Sequence, residues 1–155
     1  MLFKTHLAFG FLCALFILPF FPGANTILYF TIFLFGSILP DIDHPKSKLG
    51  RKLGPISHIL KFLFGHRGLF HSIFFAILLP GTIYILISQT YGIILFLGYL
   101  SHLFIDGFTK KGINYLHPIS ILKTQGFIET GTSSESILLI TIITAIIIKT
   151  ITIIF

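Results

Sequence analysis

The stretch Gly36-Ser37-Ile38-Leu39-Pro40-Asp41-Ile42-Asp43-His44-Pro45 decides the fold, together with Gly65-His66-Arg67-Gly68-Leu69-Phe70-His71-Ser72, which follows a short basic segment. Apolar runs long enough to enter a membrane flank the whole. Carboxylates and imidazoles gathered where apolar helices end point to a metal site at a bilayer surface.

Composition agrees with a membrane setting. The chain has 155 residues, of which 54% are hydrophobic and 10% charged, against about 25% charged in soluble domains. Mean hydropathy is +0.97, and a soluble core of this size has no room for so much apolar surface. The expected fold is all-α: a polytopic membrane bundle of about five apolar helices forming one domain over residues 1–155. Cys13 is the single cysteine, so neither a disulfide framework nor a thiolate zinc site is expected. No basic stripe interleaved with aromatics points to nucleic acid.

From the N-terminus, Lys4 precedes an apolar run with no convincing cleavage site after it. Pro19 to Asn25 is a strong breaker, which ends the first helix near Leu18. A second apolar helix is expected from about Thr26 to Leu39. Both are short for a hydrocarbon core that takes ~20 residues to cross. Residues 40–67 read as a polar, basic loop in which Pro55 to Phe64 forms a short amphipathic helix. Its Ile56, Ile59, Leu60 and Leu63 share a face, as in a helix lying in the interface plane. Leu69 to Ile87 reads as a clear span with a kink at Pro80-Gly81. Ser88-Gln89-Thr90 is a tight turn, and Tyr91 to Phe108 is the next span. A second basic loop over 109–134 has two glycine-centred turns, and the last span starts at Glu135.

Five segments with a cytoplasmic N-terminus bring both basic loops to the cytoplasmic side, as the distribution of Lys and Arg in membrane proteins favours. Ten of the eleven Lys and Arg residues, all five acidic residues and all seven histidines then lie on that side. One face of the protein holds the chemistry.

His102 and Asp106 stand four apart, on one face of a helix near its cytoplasmic end. Ionisable groups within a span cost about 2.5–3.5 kcal/mol on insertion scales and turn toward partners in the bundle. The pair reads equally well as metal ligands or as a lock between two helices. His66 and His71 sit at the start of a span beside an acidic cluster, where a shared cation satisfies both. Asp41 and Asp43, two apart, repel each other unless a cation or proton stands between them, although Asp at a helix end is also a common cap or turn former. His44 adjoins them. His6 gains interest because the topology returns it to the same surface. Glu135 follows Thr132-Ser133-Ser134, which also suits a capping role. His58 and His117 read as surface residues.

Oxygen and nitrogen donors without thiolates suit zinc, with manganese or iron as alternatives. The candidates outnumber what one ion takes, so two or three divalent ions sharing carboxylates are expected, as in phosphoester chemistry. Arg67 fits bidentate recognition of a phosphate or anchoring at the membrane surface.

Thr5-His6-x3-Gly10, Leu39-Pro40-Asp41-Ile42-Asp43-His44-Pro45-Lys46-Ser47, Gly65-His66-Arg67-Gly68-x2-His71-Ser72, Gly98-Tyr99-x-Ser101-His102-x3-Asp106 and Gly131-x3-Glu135 resemble the YdjM-like family. These are membrane-bound proteins assigned as metal-dependent hydrolases, the bacterial type being a LexA-regulated inner-membrane protein. The resemblance covers nearly the whole chain in order. It implies metal-site roles for His6, Asp41, Asp43, His44, His66, His71, His102, Asp106 and Glu135, and none for His58 or His117. The His-x3-Asp pair also looks like that of helical zinc-dependent phospholipase C, an analogy that does not fix a substrate. Phe70 stands where the family commonly has Thr.

The expected function is hydrolysis of a phosphoester or ester in a lipid-like substrate by metal-activated water at the cytoplasmic membrane face. Asp43 and Glu135 are candidates for bridging ligand or general base, and Arg67 for holding the substrate's charge. The competing class is a non-enzymatic membrane protein with a structural, sensing or transport metal site.

Overall fold

In the computed structural model, residues 1–45, 47–64 and 69–154 are described. Among the described residues, seven α-helices run α1 Phe3–Ile17, α2 Thr26–Ile38, α3 Lys48–Leu53, α4 Pro55–Phe64, α5 Ile73–Leu86, α6 Gln89–Gly107 and α7 Ser133–Ile154. No strand occurs among the described residues. Single 3₁₀ turns extend α1 through Leu18–Phe20 and α2 through Leu39–Asp43, and a third, Leu69–His71, precedes α5.

Side chains start several of these helices. Asn25, Ser47, Ser72 and Ser88 each accept a hydrogen bond from a first-turn backbone N–H, satisfying donors that a helix N-terminus leaves open. The Ser72 cap explains a difference from the sequence expectation. The apolar run from Leu69 is broken by the 3₁₀ turn, so α5 has only 14 residues and rises about 21 Å. Among the described residues, four other segments are long and apolar enough to cross a membrane: Phe3–Phe20, Thr26–Asp43, Gln89–Gly107 and Ser133–Ile153. The 3₁₀ extensions give the first two their length. Pro80 lies inside α5 and is buried.

The central helix is α6. It contributes Tyr99 and Leu103 to a core with Leu39, Ala76 and Ile113, Ile105 to one with Met1, Ile128 and Ile142, and Ile94 to one with Ala14, Tyr29 and Phe33. Its closest neighbour is α2. A Cβ on Gly36 would lie 2.7 Å from the Leu95 carbonyl oxygen, and one on Gly98 would meet the Phe33 carbonyl. Glycine on both sides lets the two backbones touch, the usual device of helix contacts in lipid. On the other side, a Cβ on Gly10 would lie 2.6 Å from Ser37 Cβ, so α1 also rides close on α2.

α7 packs on α1 and leaves Ile137, Ile140, Ile147 and Ile148 exposed, as α5 leaves Ile85 and Leu86. Such surfaces belong against hydrocarbon. The loop expected at 40–67 is more ordered than a loop: it holds α3, started by Ser47, as well as the expected α4. Ile56 and Ile59 of α4 are exposed and Phe62 is 88% exposed, in keeping with an interfacial helix. Gly112 and Gly131 (φ 64° and 84°) form the two expected turns of the second loop.

Candidate metal centre

The end of the bundle where α2 finishes and α6 finishes collects the imidazoles and carboxylates. α1 supplies His6, the 3₁₀ turn after α2 supplies Asp41 and Asp43, the turn before α5 supplies His71, and α6 supplies His102 and Asp106. His6, Asp43, His71, His102 and Asp106 are all at most 1% exposed, while the Asp41 side chain keeps 16%. His6 and Asp106, 100 positions apart in sequence, meet here because α6 packs against α1, α2 and α5.

The distances are those of a shared site. His6 Nε2 lies 3.4 Å from Asp106 Oδ1, His71 Nε2 lies 3.9 Å from Asp41 Oδ1, and His71 Nδ1 lies 3.8 Å from Asp43 Oδ2. The His6 and His102 rings stack with centroids 3.8 Å apart, and His71 meets His102 edge-on at 5.3 Å. Two groups of three donors form. His6, Asp41 and His102 have ligand atoms within 4.8 Å of one another, and so do His71, His102 and Asp106. His102 belongs to both.

The surroundings orient these ligands. His102 Nδ1 is 2.9 Å from the Ser37 carbonyl oxygen, which makes Nδ1 the donor and leaves Nε2 with its lone pair. That Nε2 atom is buried with no hydrogen-bond partner among the described residues. A metal ligand is oriented this way, by a second hydrogen bond on its far nitrogen. The Tyr99 hydroxyl, one turn before His102, donates to the Phe70 carbonyl and so pins the turn that carries His71. Ser47 Oγ donates to the Asp41 carbonyl at 2.9 Å, and Thr109 Oγ1 to the Asp106 carbonyl at 2.7 Å. In the adjoining loop Tyr115 donates to the Leu103 carbonyl at 3.1 Å; burial, and then the nearby Asp106 charge, raise its pKa.

Asp43 and Asp106, both buried, and the largely buried Asp41 need positive charge to offset the loss of solvation. The Met1 ammonium lies 2.5 Å from Asp106 Oδ1. Histidine nitrogens and carboxylate oxygens this close make a donor set that fits a divalent cation of the zinc, manganese or iron kind, and the orphaned His102 Nε2 is the atom that most needs one.

Not every candidate joins. Glu135 Oε1 accepts from Leu2 N–H at 2.6 Å and Thr5 Oγ1–H at 2.8 Å, and Oε2 accepts from Gly131 N–H at 2.7 Å. It thus ties the start of α1 to the start of α7, partly in the expected capping manner, and lies outside both groups of three. His44 is partly buried beside the site and is in neither group. His66 and Arg67 lie outside the described residues. His58 is exposed and its Nδ1 is 3.3 Å from the carbonyl of Gly54, the residue just before its helix, as expected of a surface residue. Ser37, Tyr99 and Ser47, which orient the ligands, stand inside the quoted stretches but drew no role from the sequence. All three contacts end on backbone carbonyls that any residue carries.

Residues 1–154 match the family described as YdjM inner membrane protein. The chain is 31% identical over 143 residues to uncharacterized protein YvsG of Bacillus subtilis (strain 168), covering 88% of this chain and 86% of that one. It is 41% identical over 87 residues to inner membrane protein YdjM of Escherichia coli (strain K12), and equally to YdjM of Shigella flexneri. That alignment covers 52% of this chain and 44% of each of those two proteins, less than half their length. No solved structure matches.

Proposed function

This chain belongs to the YdjM inner membrane protein family, and we propose that it is a membrane-bound metal-dependent hydrolase acting on a phosphoester or ester of a lipid-like substrate. The observation that carries this reading is the convergence of His6, Asp41, His71 and Asp106 on His102, whose Nε2 has no hydrogen-bond partner among the described residues. With its Nδ1 proton on the Ser37 carbonyl, His102 has one lone pair, so it would join one ion, either with His6 and Asp41 or with His71 and Asp106, of zinc by donor type. A divalent ion there supplies Lewis acidity and an acidified water at neutral pH. Asp43, fully buried and 3.8 Å from His71 Nδ1, is positioned to take a proton at its carboxylate. Asp41, partly exposed, marks the side from which substrate arrives. Glu135 acts as a positioning residue through its three hydrogen bonds, and Arg67 is assigned to the substrate's negative charge from its place in the motif.

The protein then resides in the cytoplasmic membrane with the site facing the cytoplasm. The name of the E. coli relative supports the first part, and the concentration of Lys and Arg in the two loops supports the second. A structural, sensing or transport metal site is the competing reading, favoured by the near-complete burial of the three imidazoles. An assay of label release from phospholipids and simpler esters by the purified protein separates them. Turnover that chelation abolishes, and that His102→Ala or Asp106→Ala lowers by more than about 100-fold, supports the hydrolase. Bound metal without turnover of any ester supports the competitor.

A further inference from the structure

Beside the His/Asp cluster lies an open cleft of about 390 Å³, within the range of small-ligand sites. Its lining brings Lys4 from α1, Lys48 and Arg51 from α3, and Lys111 from the loop after α6 together with Asp41 and His44. None of the four cations has a carboxylate partner among the described residues, whereas the neighbouring Lys110, which is not in the lining, has its Nζ 2.7 Å from Glu129. Lys48 Nζ instead sits 4.9 Å over the Phe3 ring, a contact that holds the ammonium in place without neutralising it.

We infer that this cleft is the binding site for the phosphate of a lipid whose headgroup carries net negative charge. With four cations against one carboxylate, the cleft attracts a phosphomonoester and repels the ammonium of a zwitterionic headgroup. Asp41 belongs both to the cleft and to the group with His6 and His102, so a phosphate held there lies beside the candidate metal centre. Lys48 and Arg51 are three apart and share a face of α3, and the Ser47 cap fixes where that helix starts. General attraction to anionic leaflets needs only cations near the surface. Lys52 and Lys123, exposed and outside the lining, serve that purpose equally well and act as the comparison.

The inference takes the substrate class from the hydrolase reading but is tested without turnover. Binding of dihexanoyl phosphatidate, dihexanoyl phosphatidylcholine and inorganic phosphate to the full chain in detergent is measured with a chelator present. Phosphatidate is expected to bind tighter than either other probe, and Lys48→Gln with Arg51→Gln to weaken it about 10-fold or more. Lys52→Gln with Lys123→Gln, the same change in charge, is expected to stay within about twofold. Equal losses in the two double variants, or equal binding of phosphatidylcholine, overturn the site. Binding of inorganic phosphate as tight as that of phosphatidate overturns its assignment to a lipid. If the first double variant does not fold, Lys4→Gln with Lys111→Gln takes its place with the same expected loss. Binding that passes these tests in a protein with no turnover defeats the hydrolase reading and leaves the cleft assignment standing.

Discussion

The imidazole rings of His6 and His102 lie 7° from parallel with their centroids 3.8 Å apart, although 96 positions separate them in the chain. That contact exists because α1 and α6 both pack against the glycine- and serine-bearing end of α2, where Gly10 meets Ser37 and the Ser37 carbonyl takes the His102 Nδ1 proton. Two stacked imidazoles cannot both carry charge comfortably in a buried site. Neutral rings, whose lone pairs can bind a cation, are the state a metal requires.

Tyr99→Phe removes the hydroxyl that donates to the Phe70 carbonyl beside His71. A buried carbonyl left without its donor costs about 1–3 kcal/mol, and loss of an outer support lowers metal affinity about 10- to 100-fold. Thermal unfolding in detergent and a metal titration read the two effects. Unchanged affinity would show that the turn carrying His71 holds its place without Tyr99.

The crossing of α2 and α6 is predicted to be intolerant of any side chain at Gly98. Gly98→Val drives a side chain into the Phe33 carbonyl, and backbone cannot yield as a flexible side chain does. Overpacking of this kind costs about 1–3 kcal/mol or more. Gly23, with nothing within 4 Å of an added Cβ, provides the control: Gly23→Ala is expected to shift stability by less than about 0.5 kcal/mol. Equal melting temperatures for the two variants would contradict the close approach.

Glu135→Gln tests the clamp between α1 and α7. An amide cannot accept on both sides, so either the Leu2 and Thr5 donors or the Gly131 donor loses its acceptor, at about 1–3 kcal/mol. The expected result is lower thermal stability with metal content unchanged. Metal loss on the scale of Asp106→Asn would instead make Glu135 a ligand.

The two loops are predicted to share one side of the membrane. On a Cys13→Ser background, Lys52→Cys and Lys123→Cys should react with an impermeant thiol reagent only in inverted vesicles. Asn25→Cys, at the cap of α2, and Gln89→Cys, at the first residue of α6, both exposed, should react only in intact cells. Any other partition contradicts the orientation.

Much of this arrangement was legible in the sequence. Long Ile, Leu and Phe runs with breakers at Pro19–Asn25 and Ser88 mark the apolar helices, and the i, i+4 spacing of His102 and Asp106 places both on one face. The register of caps was less legible. Ser72 looks like part of an apolar run, yet it starts α5 and shortens it to 14 residues. Ser47 likewise turns a basic stretch into α3, which carries two of the cleft's cations. Contacts that end on backbone, such as His102 to Ser37 and Tyr99 to Phe70, leave no signature in residue type. Glu135 could be read as ligand or cap because a first-turn carboxylate suits either. Only the positions of Leu2, Thr5 and Gly131 around it define the clamp.

Metal content of the purified wild-type protein beside His102→Ala and Asp106→Ala tests the central claim most directly. Wild type is predicted to retain divalent metal through chelator-free purification, and each variant, folded by its melting curve, to lose most of it, because His102 is shared by both donor groups and Asp106 completes one. Wild type without metal after reconstitution with zinc, manganese or iron, or variants with wild-type metal content, would contradict the account.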